Sequence, residues 1–223
     1  MKHFLRVSLA VLALGLAMTA AQANLGWELG GFLRGYWIAA VNIAAATAVL
    51  NLCYRLGYRG RMVQAAALLE EGKADEYITT VEGLLQTAKG EPLKNQLRLD
   101  LTAGYHAKKD FLSAIRLLEE LEEVRLPAPL RMVQRLNLCL CYFYTNRDRQ
   151  AMAVYEASDA LFAPYRGKKA YGRSLAVADM LADIEKGNYD DAKELLDTAR
   201  KTWDGPGITA DLDYIETLLE GKT

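Results

Sequence analysis

The feature that most constrains this chain is a turn that leads into an amphipathic helix, best defined from Gly187 onwards. Gly187 tolerates the left-handed conformation that ends a helix, and Asn188 is a suitable cap for the next one. Tyr189, Ala192 and Leu196 are three and four residues apart, so they share one face of that helix. The same pattern occurs upstream, which predicts a chain built from repeated helix–turn–helix units.

The spacing of comparable helix starts gives the length of the unit. Tyr77, Phe111, Asp148 and Tyr189 are separated by 34, 37 and 41 residues. Between them the apolar residues recur every three to four positions, and no segment alternates with a period of two. The sequence therefore predicts an all-α fold, with essentially no sheet. The turns within the units are predicted at 71–75, 108–110, 146–147 and 187–188.

A helix–turn–helix unit of this length resembles the tetratricopeptide repeat. The resemblance rests on an aromatic residue that opens the second helix, an alanine three residues on and an apolar residue four further. These residues are Phe111, Ala114 and Leu118 in one unit and Tyr189, Ala192 and Leu196 in another. Two units depart from the pattern, with Thr80 at an alanine position and Asp148 at an aromatic one. The resemblance implies a right-handed solenoid of antiparallel helix pairs over about 61–206; an irregular helical bundle is the alternative.

A last amphipathic helix follows the repeats. Its apolar residues are Ile208, Leu212, Ile215 and Leu219, while acidic residues occupy the opposite side. Stacked repeats need such a helix to cover the apolar face of the final unit. The predicted repeat domain therefore comprises 61–223, including a C-terminal capping helix.

One or two hydrophobic helices are predicted before the repeats. Residues 1–23 combine a basic start, an apolar run and Ala-Gln-Ala before Asn24, which is typical of a signal peptide; an uncleaved signal anchor is the alternative. Within 24–60, residues 36–54 form 19 positions without a charge, flanked by aromatic residues. This length predicts a transmembrane segment. The alternative is an alanine-rich helix buried in a soluble domain.

The distribution of charge predicts the topology. Of the 27 basic and 28 acidic residues, six basic and one acidic lie in 1–61, which leaves a net charge of −6 for 62–223. An acidic domain argues against nucleic-acid binding. Arg55, Arg59 and Arg61 follow the apolar segment, so the positive-inside rule places the repeat domain in the cytoplasm of a bacterial-type cell. If 36–54 does not span the membrane, the same domain is exported to the periplasm or beyond.

No reaction is indicated by the sequence. His3 lies in the targeting segment, and His106 has no second ligand at metal spacing. Cys139 and Cys141 have no neighbouring base and are expected to be buried residues. We therefore predict no catalytic, cofactor-binding or metal site, no small-molecule substrate and no enzyme activity.

Recognition of a protein is the expected function. In the resembled family the first helices of the units line a concave groove that holds a peptide or a helix. By register, the groove residues here are Leu99, His106, Leu136, Leu140, Phe143, Tyr144, Val177 and Leu181, together with Ala103, Ala107, Val133 and Ile184. This face is apolar, which favours an apolar segment of a protein partner. The alternatives are that the protein's own helices fill the groove, or that the chain is a non-catalytic structural subunit of a membrane complex.

Overall fold

The computed structural model describes residues 2–25, 30–121, 126–203 and 206–222. In these ranges the chain is helical apart from short turns, and no described residue lies in a β-strand. The helices are α1 (Lys2–Leu25), α2 (Gly30–Glu70), α3 (Ala74–Thr87), α4 (Glu91–Ala107), α5 (Phe111–Glu120), α6 (Ala128–Tyr144), α7 (Asp148–Phe162), α8 (Gly172–Lys186), α9 (Tyr189–Thr202) and α10 (Pro206–Glu220). The predicted all-α class is confirmed.

Helix α2 joins the apolar segment to the repeats. It has 41 residues, which makes it about 62 Å long at a rise of 1.5 Å per residue. Its portion Leu33–Glu70 is long and apolar enough to cross a bilayer. The helix continues without a break through residue 60, where the sequence placed the start of the repeat domain. The last part of α2 therefore lies within the predicted repeat region, and it packs against α3.

We group helices α4 to α9 in pairs by the turns that join them: α4 with α5, α6 with α7 and α8 with α9. Each of these helices packs against the next along the chain, and the first helices of neighbouring pairs also pack on one another, α4 on α6 and α6 on α8. Helix α10 packs against α8 and α9 and buries Ile208, Leu212, Ile215 and Leu219. It thus lies where the capping helix was expected.

The four turns within the pairs share one conformation. Each contains a residue with positive φ, namely Gly72, Lys109, Asn146 and Gly187. In each turn the next residue donates its backbone N–H to the carbonyl five residues back, as Lys73 does to Leu68 at 2.7 Å and Asn188 to Asp183 at 2.9 Å. This bond satisfies a carbonyl left free at the end of the preceding helix. All four predicted turns are confirmed.

These turns correct the register of the first unit. Their positive-φ residues are 37, 37 and 41 residues apart, so the first spacing is 37 and the predicted 34 is wrong. Tyr77 follows Gly72 by five residues, as Ala114 follows Lys109, so Tyr77 corresponds to Ala114 and not to Phe111. Thr80, the predicted alanine position, is exposed. The large Tyr77 fits because Gly104 lies opposite: a Cβ on Gly104 would come within 2.7 Å of the Tyr77 ring. At this contact the small residue, Gly104, lies on α4, and the large residue, Tyr77, lies on α3.

In the other three pairs the small residue lies where the sequence placed it. Ala114, Ala151 and Ala192 are each fully buried, at 0% exposure. They allow the two helices of a pair to approach closely. Leu118 and Leu196, four residues after two of these alanines, are also buried.

Candidate functional site

The predicted groove residues lie on the face shared by α4, α6, α8 and α10. Helix α6 is central, because α4, α5, α7 and α8 all pack against it. Its residues 138–143 are buried without interruption. A helix that is surrounded by neighbours presents no free apolar side. Most of the predicted groove positions are therefore buried.

Six of the eight predicted binding residues are buried in the core. Leu99, Leu136, Leu140, Phe143, Val177 and Leu181 expose only 1–6% of their surface. Phe143, at 4% exposure, is therefore enclosed in the free protein, which agrees with the alternative that the protein's own helices fill this part of the groove. His106 and Tyr144 are partly buried, and Ala103 and Ala107 are exposed. Binding through the buried residues stays a prediction, and any contact must be made through the parts that line an opening.

Such an opening exists between the four helices. It is a cavity of about 250 Å³ with contributions from α4, α6, α8 and α10. It is lined by Thr102, Ala103, His106, Asn137, Leu140, Cys141, Tyr144, Arg173, Ser174, Val177 and Asp211. Five predicted groove positions meet here, namely Ala103, His106, Leu140, Tyr144 and Val177.

An aromatic cluster forms one wall of the cavity. The Tyr144 ring stacks on Phe111 with centroids 5.0 Å apart, and His106 meets both rings edge-on. The Tyr144 hydroxyl donates to Asp211 Oδ1 at 2.8 Å, and Tyr214 lies against the Tyr144 ring. The cluster therefore ties α10 to the end of α6.

The electrostatics of the cavity do not favour nucleophilic chemistry. Burial lowers the pKa of His106, although the Asp211 carboxylate opposes this, so the imidazole is neutral at pH 7. Burial also raises the pKa of the Cys141 thiol to about 12. A protonated thiol is a poor nucleophile. The exposed Arg173 instead gives the cavity a cation at its opening.

Several lining residues were missed by the sequence reasoning. Asn137, Arg173, Ser174 and Asp211 are polar, and only the apolar positions of the first helices had been considered. The sequence did contain a signal for these residues. Asn137 lies three residues before Leu140 and Cys141 directly follows it, while Arg173 lies four residues before Val177. Each is therefore next to a predicted groove residue on the surface of its helix. Positions at the edge of an apolar stripe line an opening more readily than those at its centre.

Among the described residues, no group of three or more histidine, cysteine or acidic side chains could hold a metal ion. The cysteines Cys53, Cys139 and Cys141 are all free thiols.

The α2 segment is the second candidate site. Large apolar side chains along it are exposed, among them Leu50 at 70% and Val63 at 66%. The end of the uncharged stretch is fixed to the segment between α3 and α4, because the Lys89 backbone N–H donates to the Tyr54 hydroxyl at 2.7 Å. One turn further on, the Tyr58 and Thr87 hydroxyls lie 3.0 Å apart.

Comparison with protein-family models, curated protein sequences and solved structures finds no match to this chain. The four equivalent turns and the stacked pairs are compatible with a helical repeat. Function must be argued from the geometry of the cavity and of α2.

Proposed function

We propose that this protein is a membrane-anchored scaffold of tetratricopeptide-like repeats, stacked as a right-handed solenoid, which binds a protein partner at the cavity between α4, α6, α8 and α10. The observation that carries the proposal is the continuity of α2. A helix able to cross a bilayer becomes the first helix of the repeats without a linker. The anchor and the binding domain are thus one rigid piece.

The size of the cavity limits what the partner inserts. A volume of about 250 Å³ accepts one or two side chains but not a whole helix. Leu140 and Val177 supply an apolar floor, and Arg173 supplies a positive charge at the opening. A segment with an apolar side chain next to an acidic one matches this lining.

Occupation of the cavity can be tested with a matched pair of variants. Ala103 lines the cavity and is exposed, so Ala103→Trp should fill the opening without disturbing the core. Ala107, one turn later on α4, is also exposed and is not part of the lining. Partners cross-linked in intact cells and purified in detergent should be lost with Ala103→Trp and kept with Ala107→Trp. Equal recovery from both variants would overturn the cavity as the binding site.

The topology is a separate part of the proposal. Arg55, Arg59 and Arg61 follow the apolar segment, so residues 55–223 should face the cytoplasm. A reporter fused after Thr223 should be active only in its cytoplasmic form. Activity of a fused alkaline phosphatase would instead support the exported alternative.

A second function has one observation in its favour. The long row of exposed apolar residues on α2 would also suit a non-catalytic subunit that packs against other membrane spans. In that case the protein should purify as part of a fixed membrane complex, and Ala103→Trp should not change its composition.

A further inference from the structure

Helix α2 has one covered side along most of its length. In its first half, α1 packs against it: a Cβ on Gly15 would lie 2.5 Å from the Tyr36 ring, and the Trp37 indole N–H donates to Thr19 Oγ1 at 3.3 Å. In its second half, α3 packs against it and buries Tyr58 and Ala65. Since a helix turns 100° per residue, these positions fall on the same half of α2.

The opposite side of α2 is exposed throughout. We define the bare face of α2 as Asn42, Ala45, Val49, Leu52, Leu56 and Val63, all of which are exposed. Asn42, Val49, Leu56 and Val63 are seven residues apart, and Ala45 and Leu52 follow the first two by three. This is the spacing at which two parallel helices pack along one seam. From Asn42 to Leu56 the face carries no charge. Arg59 follows Leu56 by the same three residues, so it continues the seam beyond the uncharged stretch, where its side chain is long enough to turn outwards.

Two residues of the bare face, Asn42 and Val63, bear on what covers this face. Asn42 lies within the uncharged stretch and donates to its own Ile38 carbonyl at 2.8 Å, while its amide oxygen accepts no hydrogen bond from the described residues. An amide in the bilayer gains from a partner on a neighbouring helix. Val63 lies nine residues beyond Tyr54, about 13 Å along the axis, and is 66% exposed. The bare face therefore continues past the predicted span 36–54.

We propose that the bare face of α2 binds the same face of a second copy of this chain, forming a parallel dimer. The proposal rests on the membrane span put forward above. Copies inserted in one membrane run α2 in the same direction, so a two-fold axis along the membrane normal places each residue opposite itself. The Asn42 amides then meet at equal depth, and each has a free N–H and a free oxygen for the other. A different protein would need a hydrogen-bonding side chain of its own at this depth, whereas a second copy supplies one at the same depth.

Cross-linking within native membranes tests the pairing. In full-length protein with Cys53→Ser, a cysteine is introduced at Val49 or at Leu50, which are both exposed but 100° apart around the helix. The remaining thiols, Cys139 and Cys141, are buried. Copper-phenanthroline oxidation should give a disulfide-linked dimer with Val49→Cys and little with Leu50→Cys. Two differently tagged copies, expressed together, identify the linked species as a homodimer.

A second matched pair tests the role of the amide. Asn42→Leu should lower the yield of the Val49→Cys dimer roughly five- to tenfold. Asn51→Leu removes another amide from the same segment, but on the half-buried side, and should leave the yield unchanged.

Each outcome decides between the alternatives. Equal yields at Val49→Cys and Leu50→Cys would indicate random collision and overturn the dimer. A product that links one copy to another protein would assign the bare face to a different partner. Monomer that stays in the membrane after alkaline carbonate extraction would refute the dimer alone. Release of the protein by carbonate would refute the membrane span and with it the proposed function.

Discussion

A buried acid in the second pair offers a quantitative test of the packing. Asp100 lies on α4, half-buried, and burial raises the pKa of its carboxyl from 3.8 to about 6. The described residues supply no hydrogen bond or ion pair to this carboxylate; the nearby Tyr77 hydroxyl donates to the backbone carbonyl of Asp100 instead, at 2.8 Å. The folded protein therefore holds an ionised group that water would solvate better.

The sign of the effect follows from the direction of the shift. Between about pH 4 and pH 6 the folded state binds more protons at Asp100 than the unfolded state, so the contribution of this residue to stability falls as pH rises. Two pKa units correspond to roughly 3 kcal/mol at most. Because the side chain keeps some contact with solvent, we expect Asp100→Asn to raise the free energy of unfolding by about 1–3 kcal/mol at pH 7.5.

The measurement is urea unfolding of the full chain in mild detergent, followed by circular dichroism at pH 4 and at pH 7.5. The variant and the parent should be nearly equal at pH 4 and should differ at pH 7.5. Asp197→Asn, which removes an exposed carboxylate, is the matched control. A difference for Asp100→Asn that is independent of pH, or a loss of stability at pH 7.5, would refute the reasoning.

Three further substitutions test the core, each by thermal melting of the purified protein. Phe143→Ala should lower the free energy of unfolding by about 3–5 kcal/mol, because the ring is 4% exposed. An unchanged melting temperature would instead indicate that Phe143 lies on a binding surface. Ala192→Leu should cost about 1–3 kcal/mol by overpacking a fully buried contact, and a parent-like melt would contradict that position. Gly104→Ala should also destabilise by about 1–3 kcal/mol despite its better helix propensity, since the new Cβ would lie 2.6 Å from Ile78; a gain in stability would show that the contact relaxes.

The parts of the fold that the sequence predicted are those with local causes. A tight turn needs a residue that accepts positive φ, and Gly72, Asn146 and Gly187 are among the residues that do so readily. A close contact between helices needs a small residue, and Ala114, Ala151 and Ala192 supply it. These requirements can be recognised in the sequence without knowing which helices contact one another.

The parts that failed depend on partners far away in the chain. The first unit was assigned by matching Tyr77 to Phe111, and only the opposing Gly104 shows that Tyr77 fills the place of an alanine. The burial of Phe143 could not be read from its own spacing, which is the same whether its helix lines a groove or is enclosed. The packing of α6 against α4, α5, α7 and α8 separates the two cases. The uninterrupted apolar run at 138–143 was a local signal of enclosure, because a helix that is apolar on all sides is buried.

The continuity of α2 has a consequence for the proposed scaffold function. A flexible linker after the apolar segment would let the repeats sweep through a volume above the membrane. Here the turn between α3 and α4 is instead fixed to α2 by the hydrogen bond from Lys89 to Tyr54 and by the contact of Thr87 with Tyr58. Given the proposed span, these bonds hold the repeats at one height and one orientation relative to the bilayer. A partner bound at the cavity would then be presented at a fixed distance from the membrane, and a dimer through α2 would present two such partners side by side.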